Sequence, residues 1–476
     1  MKHRLRLFVL AVLFFLSFRP EAAQRVDLHV DLKERVNAVY HLACLAGSIT
    51  CTTEVFERFW KERLGWTQAD QAALDLWRQI MTEAVNAAPA RAPASLLPNT
   101  PRFHPTQATR TAITVAALES VSTRDLRRKS HDILNAESAP RVKRAVDHFE
   151  RRIRSWFRTN GTRVVERRVG QVKETARRSR FADTMAQMAA FLQADLPDSK
   201  VYVHAIAGPE PRSKDFTATQ LGNHLLVEVV DAATADGIVS GAVHELTHYL
   251  YDRAPARQHL ALLEQFVGSA VPSYAGLYSY LNEAVAIAAQ GLGADSSDET
   301  PDESYAHPYV APLGAVAIPL VKAAVANKTT LFDGFVAGYL AAGAAALREK
   351  LVQPQFVLAQ VGLLLPDDSD AIRTAYFAAM FPHASAQFRD ARELDAFPNL
   401  NVVRFQRYGA LGTLDDSIPG LAALRGHRGF AYVVPRGRGA RTYLLAGRDT
   451  EAIVDLITKL AEMESLSSEG LLFSLD

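Results

Sequence analysis

The segment VSGAVHELTHYLYD places two imidazoles and a carboxylate at a spacing that suits metal chemistry. On a helix, His244 and His248 lie on one face about one turn apart, so both rings can bind the same metal ion. Glu245 lies beside them, where it can take a proton from a water that the metal polarises. The neighbouring positions are uncharged, which favours a helix buried behind a metal site over a polar surface helix.

A tetrahedral catalytic site needs a third protein ligand besides two histidines and a water. The downstream segment SYLNEAVAIAAQG carries Glu283 in an apolar helical run, 35 residues after His248. A carboxylate in such a run is unfavourable unless it is paired or bound to metal, so Glu283 is the predicted third ligand. The metzincin alternative is disfavoured, because no glycine follows His248 where its sharp turn would be.

The pairing of HELTH with YLNEAVA resembles the gluzincin metallopeptidases, the group of thermolysin and the large zinc aminopeptidases. The resemblance covers roughly residues 200 to 345. It implies a zincin-like core, one catalytic Zn²⁺ held by His244, His248 and Glu283, and Glu245 as the general base of peptide-bond hydrolysis. The segment NHLLVEVV, just before the zinc helix, resembles the edge strand along which such enzymes bind their peptide substrate.

Some features depart from that group. The spacing from His248 to Glu283 is longer than in thermolysin, and Ile287 stands where an aspartate there orients a zinc-bound histidine. Another residue must therefore orient the histidines. No GxMEN sequence precedes the zinc helix, so the amine anchor of the aminopeptidases is absent. Glu228 on the expected edge strand can substitute for it, but a solvent-facing carboxylate is the favoured interpretation, and endopeptidase action is therefore preferred over aminopeptidase action.

A peptidase of this kind also needs a donor that stabilises the oxyanion. The segment DESYAHPYVAPLG, shortly after the Glu283 helix, offers Tyr305, His307 and Tyr309 in a loop suited to a cleft wall. We predict that His307 or Tyr309 is this donor, although ordinary loop packing is the alternative for each of the three.

The N-terminus has the layout of an export signal. Lys2 and Arg4 precede an apolar run from residue 7 to residue 18, and small residues follow it up to Ala23. We therefore predict a signal peptide over residues 1–23 and a periplasmic or secreted protein, in preference to a buried N-terminal helix. Glu21 lies where a small residue is preferred before cleavage, so an uncleaved or lipid-associated N-terminus is the alternative.

The overall charge points to no anionic partner, because 53 basic residues stand against 52 acidic ones. We predict no nucleic-acid partner. The stretch from Arg124 to Arg180 is locally basic, with 18 Lys or Arg against 7 Asp or Glu. A solvated helical face is the favoured interpretation, with peripheral membrane or envelope association as the alternative. Cys44 and Cys51 form either a short-loop disulfide or two small buried thiols.

The pattern along the chain predicts an α+β, mainly α-helical fold. Residues 24–195 read as a helical N-terminal region, and residues 196–395 as the metallopeptidase domain. In that domain KVYVHAIAG and NHLLVEVV are predicted strands, and helices occupy most of residues 234 to 390. Residues 396–476 read as a small α+β appendage with a strand, a hairpin at PRGRG and a closing helix.

Together these features predict an exported zinc-dependent metallopeptidase that hydrolyses a peptide or protein substrate. One alternative is a catalytically inactive zincin-fold scaffold or binding protein at the cell envelope, although an intact Glu245 argues against it. The other is a structural metal protein or a purely helical scaffold.

Overall fold

Two mixed β-sheets, each covered by helices, organise the computed structural model of this protein. The α+β, mainly α-helical class predicted from the sequence is confirmed. The structure describes residues 26, 28–87, 105–131, 133–196, 201–213, 216–269, 271, 274–293, 308–358, 361–364, 370–380, 401–408, 420–437, 440–467 and 469–476. The predicted signal peptide and nearly all of the proline-rich segment between residues 88 and 105 lie outside these ranges.

The first sheet has four strands in the order β1-β2-β4-β3. They are β1 (Leu28–Asp31), β2 (Val201–Ala207), β3 (Ala218–Leu221) and β4 (His224–Val229). Strands β1, β2 and β4 are parallel, and β3 pairs antiparallel with β4. Because β1 pairs with β2 along its whole length, the sheet takes strands from both sides of the boundary predicted at residue 195.

The prediction that NHLLVEVV forms the edge strand is wrong. This segment is β4, which lies between β2 and β3, and the short strand β3 takes the edge. The two strands form a hairpin whose loop is Gly222 and Asn223, between the paired residues Leu221 and His224. Gly222 has φ +62°, the left-handed conformation that two-residue hairpin loops require.

Helices from the N-terminal region cover one face of this sheet. They are α1 (Glu34–Leu45), α2 (Thr53–Arg58), α3 (Gln68–Ala87), α4 (Pro105–Glu119), α5 (Thr123–Lys129) and α6 (Ser138–Trp156). Ile206 and Leu226 of the sheet belong to the apolar core of these helices. A disulfide joins Cys44 and Cys51, so the first of the two interpretations of the cysteine pair is confirmed.

A row of hydrogen-bonded side chains crosses the same face of the sheet. Asp31 Oδ1 lies 2.5 Å from His204 Nδ1, and His204 Nε2 lies 2.9 Å from His224 Nδ1. His224 Nε2 is 2.9 Å from Glu119 Oε1, at the end of α4. The three contacts need three protons, and two neutral imidazoles supply only two.

The opposite face of the sheet packs against a second group of helices. They are α7 (Thr162–Arg178), α8 (Phe181–Leu192), α9 (Ala235–Arg253), α10 (Ala256–Val267), α11 (Tyr274–Gly293), α12 (Val310–Ala326) and α13 (Val336–Leu347). Leu225 and Val227 of β4 share an apolar core with Ala242 and Leu246 of α9. The helix that carries HELTH is thus fixed directly on the first sheet.

The second sheet has five strands in the order β5-β6-β8-β7-β9. They are β5 (Val361–Leu364), β6 (Asn401–Arg407), β7 (Gly429–Gly437), β8 (Ala440–Gly447) and β9 (Gly470–Leu475), and the accompanying helices are α14 (Pro354–Val357), α15 (Asp370–Met380), α16 (Leu421–Leu424) and α17 (Thr450–Ala461). The predicted strand, hairpin and helix are confirmed as β6, β7–β8 and α17. The prediction missed β5, which interrupts the stretch expected to be helical, and β9, which follows the helix expected to close the chain.

The basic stretch from Arg124 to Arg180 forms the helices α5 to α7, and many of its cations are paired. Arg141 lies 2.8 Å from Glu83, and Arg154 lies 2.7 Å from Glu34. Such pairs are typical of a solvated helical surface. In the part of the chain that the structure describes, no helix has the length and apolar character needed to cross a membrane.

Candidate metal centre

Helix α9 presents His244 and His248 one turn apart on the same side. The helix begins at a capping residue, Thr234, whose Oγ1 accepts a hydrogen bond from Gly237 N at 3.0 Å. It ends just before Pro255, which cannot continue a helix. His244 is only 6% exposed, so its ring is held by packing as well as by the helix.

Helix α11 brings the predicted third ligand to the two histidines. Its apolar residues Ala284, Val285 and Ala288 are fully buried, which fixes the helix against its neighbours. The side chain of Glu283 is 37% exposed, so it can be reached from solvent. The structure thus unites residues from two helices that are separated by a third, α10.

The donor atoms of His244, His248 and Glu283 converge on one point. The two Nε2 atoms are 3.0 Å apart. His244 Nε2 lies 3.5 Å from Glu283 Oε2, and His248 Nε2 lies 3.5 Å from the other carboxylate oxygen, Oε1. A tetrahedron with metal–ligand bonds of about 2.0–2.1 Å has edges of roughly 3.3–3.4 Å. The observed separations are close to these edges, so the three side chains can hold a metal ion with little movement.

Asn282 fixes the orientation of the His248 ring. His248 Nδ1 lies 3.0 Å from Asn282 Oδ1, which can only accept a hydrogen bond. The proton of a neutral His248 therefore sits on Nδ1, and the lone pair of Nε2 faces the point of convergence. The sequence had indicated that some residue other than Ile287 must perform this function, and Asn282 does so for one histidine. Ile287 itself is buried and faces Gly314 of α12.

Glu245 lies next to the ligands in an environment that stabilises its protonated form. Desolvation, with a smaller contribution from the charge of Glu283, raises its pKa from 4.5 to about 7, while His248 acts in the opposite direction. A carboxylate with a pKa near neutrality can both accept and release a proton. A bound cation would lower this pKa, because it favours the charged form.

The three residues considered for oxyanion stabilisation differ in what the structure shows. Tyr305 and His307 lie outside the described residues. Tyr309 is 4% exposed and donates a hydrogen bond from its hydroxyl to Gln353 Oε1 at 3.1 Å. Its ring packs against Tyr280, one turn before Glu283, at a centroid distance of 5.7 Å. The role of each of the three in oxyanion stabilisation stays a prediction.

The favoured interpretation of Glu228 as a solvent-facing carboxylate is wrong. Glu228 is 2% exposed and accepts four hydrogen bonds, from Tyr40 Oη, Thr52 N, Thr52 Oγ1 and Thr217 N. It alternates along β4 with Leu225 and Val227, and therefore faces the N-terminal helices and not α9. Glu228 consequently cannot anchor a substrate amine beside His244.

No protein-family model, no curated protein and no solved structure gives a significant match to this chain. The geometry of the site is therefore the main indication of the protein's function. Sequence reasoning missed Asn282, because its contact with His248 depends on how α9 and α11 pack together and not on a pattern within either segment.

Proposed function

We propose that this protein is a zinc-dependent metallopeptidase of the gluzincin type, in which a small sheet and its helices form a zincin-like core. The observation that carries the proposal is the convergence of His244, His248 and Glu283 at tetrahedral spacing with Glu245 beside them. Structural metal sites are closed by four protein ligands. Among the described residues only three converge here, which favours a site with an open position for a reactant.

The donor set suits zinc. Two imidazole nitrogens and one carboxylate oxygen at near-tetrahedral separations match the ligands of catalytic zinc sites, whereas calcium and magnesium prefer six or more oxygen ligands. A zinc ion bound here would supply a Lewis acid that polarises the scissile carbonyl and acidifies water. The chain's own residues supply the rest of the reaction.

Glu245 has the position and the proton affinity of a general base. In the proposed mechanism its carboxylate accepts the proton of the attacking water and then delivers that proton to the leaving amine. His248 is held in the correct tautomer by Asn282 throughout. Tyr305, His307 or Tyr309 is proposed to stabilise the oxyanion.

We further propose that the protein acts outside the cytoplasm on a peptide or protein. The basic and apolar N-terminal residues support export, and the disulfide between Cys44 and Cys51 fits an oxidising compartment. Strand β3 lies at the edge of the first sheet and packs against α9. An extended substrate could add to this edge by main-chain hydrogen bonds, which is consistent with endopeptidase action.

The proposal is tested by separating metal binding from catalysis. Zinc content is measured by elemental analysis, and cleavage by mass spectrometry of a peptide mixture incubated with the full chain. We expect Glu245→Gln to keep zinc and to lose cleavage by roughly 10²–10⁴-fold, because it retains all three ligands but removes the base. His248→Ala should lose both. Glu264→Gln, the same change at an exposed glutamate on α10, should alter neither.

Two results would contradict these assignments. Loss of zinc from Glu245→Gln would make this residue a ligand, so the assigned roles would be wrong. Stoichiometric zinc in the parent protein without cleavage of any peptide would favour the alternative, a catalytically inactive zincin-fold scaffold at the cell envelope.

A further inference from the structure

A cavity of about 150 Å³ lies beside the first sheet, and none of the residues assigned above to catalysis is in its lining. Ala207 and Val229, the last residues of the parallel strands β2 and β4, form part of its wall. Crevices at the carboxyl ends of parallel strands are a common place for ligands. A cavity of this size accommodates a molecule comparable to benzene.

Two π-helical turns form the opposite wall. One covers Phe59–Arg63 after α2, and the other covers Phe157–Gly161 after α6. Such turns occur frequently at functional sites, because they redirect side chains that a regular helix would place elsewhere. In the second turn, a Cβ on Gly161 would lie 3.1 Å from the Cβ of Ala207. Glycine therefore permits the close approach of this turn to the end of β2.

The lining is rich in hydrogen-bond donors and lacks a carboxylate. Arg63, Asn160 and Trp156 belong to this lining; the side chains of Arg63 and Asn160 are exposed and that of Trp156 is partly buried, and none of the three has a side-chain acceptor among the residues that the structure describes. By contrast, Arg58, on the helix just before the first π-turn, lies 2.7 Å from Glu210. An unpaired arginine beside a concave, donor-rich surface is the arrangement expected for an anion site.

We propose that this cavity binds a small carboxylate that has a flat apolar body. The planar guanidinium of Arg63 matches a carboxylate through two parallel hydrogen bonds, and the amide of Asn160 supplies a further donor. The indole of Trp156, together with Val165 and Val229, offers an apolar surface to the body of the ligand. The site is independent of the proposed peptidase centre.

The test uses benzoate as the probe and isothermal titration calorimetry of the full chain as the measurement. We expect saturable binding at one site with a dissociation constant on the order of 1 mM, as suits nine non-hydrogen atoms. Benzamide, the neutral analogue of the same shape, should bind at least about tenfold more weakly, and inorganic phosphate, which has no apolar body, should also bind more weakly than benzoate.

Arginine variants locate the site. Arg63→Met should reduce benzoate affinity by about tenfold or more, and Asn160→Ala by a smaller factor. Arg151→Met is the control, since Arg151 is an exposed arginine of α6 outside the cavity, and its affinity should stay within about twofold of the parent. A thermal midpoint for each variant verifies that it is folded.

Several results would overturn the proposal. These are absence of saturable benzoate binding, equal binding of benzamide, binding of phosphate at least as tight as that of benzoate, or equal losses in Arg63→Met and Arg151→Met. Each would show that the cavity is not a carboxylate site of the proposed kind.

Discussion

The hydrogen bond between His248 and Asn282 allows a quantitative test of how the metal centre is held. Asn282 Oδ1 lies 3.0 Å from His248 Nδ1 and keeps the proton on that nitrogen. Replacing Asn282 by Ala removes this acceptor. The ring can then adopt the other tautomer, which places a proton on the nitrogen that should bind the metal. All three proposed ligands remain in the chain, so the change acts on their orientation.

Two general magnitudes bear on how much zinc affinity Asn282→Ala should lose. A hydrogen bond of this geometry contributes about 0.5–1.5 kcal/mol net. Loss of a histidine's outer hydrogen-bond partner in metal sites typically lowers metal affinity by about 10–100-fold, equivalent to roughly 1.4–2.7 kcal/mol. We therefore expect the zinc dissociation constant of Asn282→Ala to rise by about 10–100-fold.

Competition with a chelator of known affinity measures this constant for the parent and its variants. Gln290→Ala is the matched control, because Gln290 Nε2 donates to Ser240 Oγ at 3.0 Å and joins the same two helices, α11 and α9. That variant should leave zinc affinity within about twofold of the parent, and Asn282→Asp, which keeps an acceptor, should bind zinc more tightly than Asn282→Ala. The reasoning is refuted if Asn282→Ala and Gln290→Ala have the same zinc affinity.

Two further predictions concern the face of the first sheet that packs against the N-terminal helices. Glu228→Ala leaves the donors around this buried carboxylate without their acceptor, at a cost of about 1–3 kcal/mol for each one that stays buried and unsatisfied. Urea unfolding should therefore show that the free energy of unfolding falls by about 3 kcal/mol or more, against less than about 1 kcal/mol for Glu210→Ala at an exposed ion pair. The pKa of Glu119 is lowered from 4.5 to about 2, chiefly by the hydrogen bond from His224 and also by Lys129. Its charged form therefore stabilises the fold above about pH 4.5, and this contribution is lost as the pH falls toward 2. Because about a third of the Glu119 side chain is exposed, we expect the free energy of unfolding to fall by only about 1–2 kcal/mol over this pH range. Glu119→Gln should flatten the pH profile of the unfolding free energy. An unchanged profile would contradict this assignment.

His244, His248 and Glu283 could be selected from the sequence as candidates because each is marked by a local pattern. The four-residue spacing of His244 and His248 fixes their common face once the segment is helical, and the apolar residues around Glu283 make a solitary carboxylate conspicuous. The contact between α9 and α11 could not be predicted from such local patterns. It was inferred from a resemblance between short segments, and the structure shows these side chains close together.

The errors in the fold arose where the decisive partners are distant in sequence. Strand β1 is identified by its pairing with β2, about 170 residues later, and its own four residues give little signal. The burial of Glu228 depends on Tyr40 and Thr52, 188 and 176 residues earlier, so its own strand could not reveal it. The position of β3 at the edge of the sheet was easier to predict from the sequence, because Gly222 and Asn223 form a recognisable two-residue hairpin loop between β3 and β4.

Alternate side chains of strand β4 point to opposite faces of the first sheet. Variants that affect one face can therefore be compared with variants that affect the other. Leu225 and Val227 pack with α9, whereas His224 and Glu228 point to the N-terminal helices. A change at Glu228 removes support behind the sheet but alters no group that contacts His248. We therefore expect Glu228→Ala to lower stability while the folded fraction keeps the parent's zinc affinity. Asn282→Ala should lower zinc affinity and change stability little, because the hydrogen bond of Asn282 orients a proposed ligand and is only partly buried. Stability and zinc affinity should be measured in both variants. A residue that supports the fold should change stability alone, whereas a residue that orients a metal ligand should change the zinc affinity of protein that remains folded.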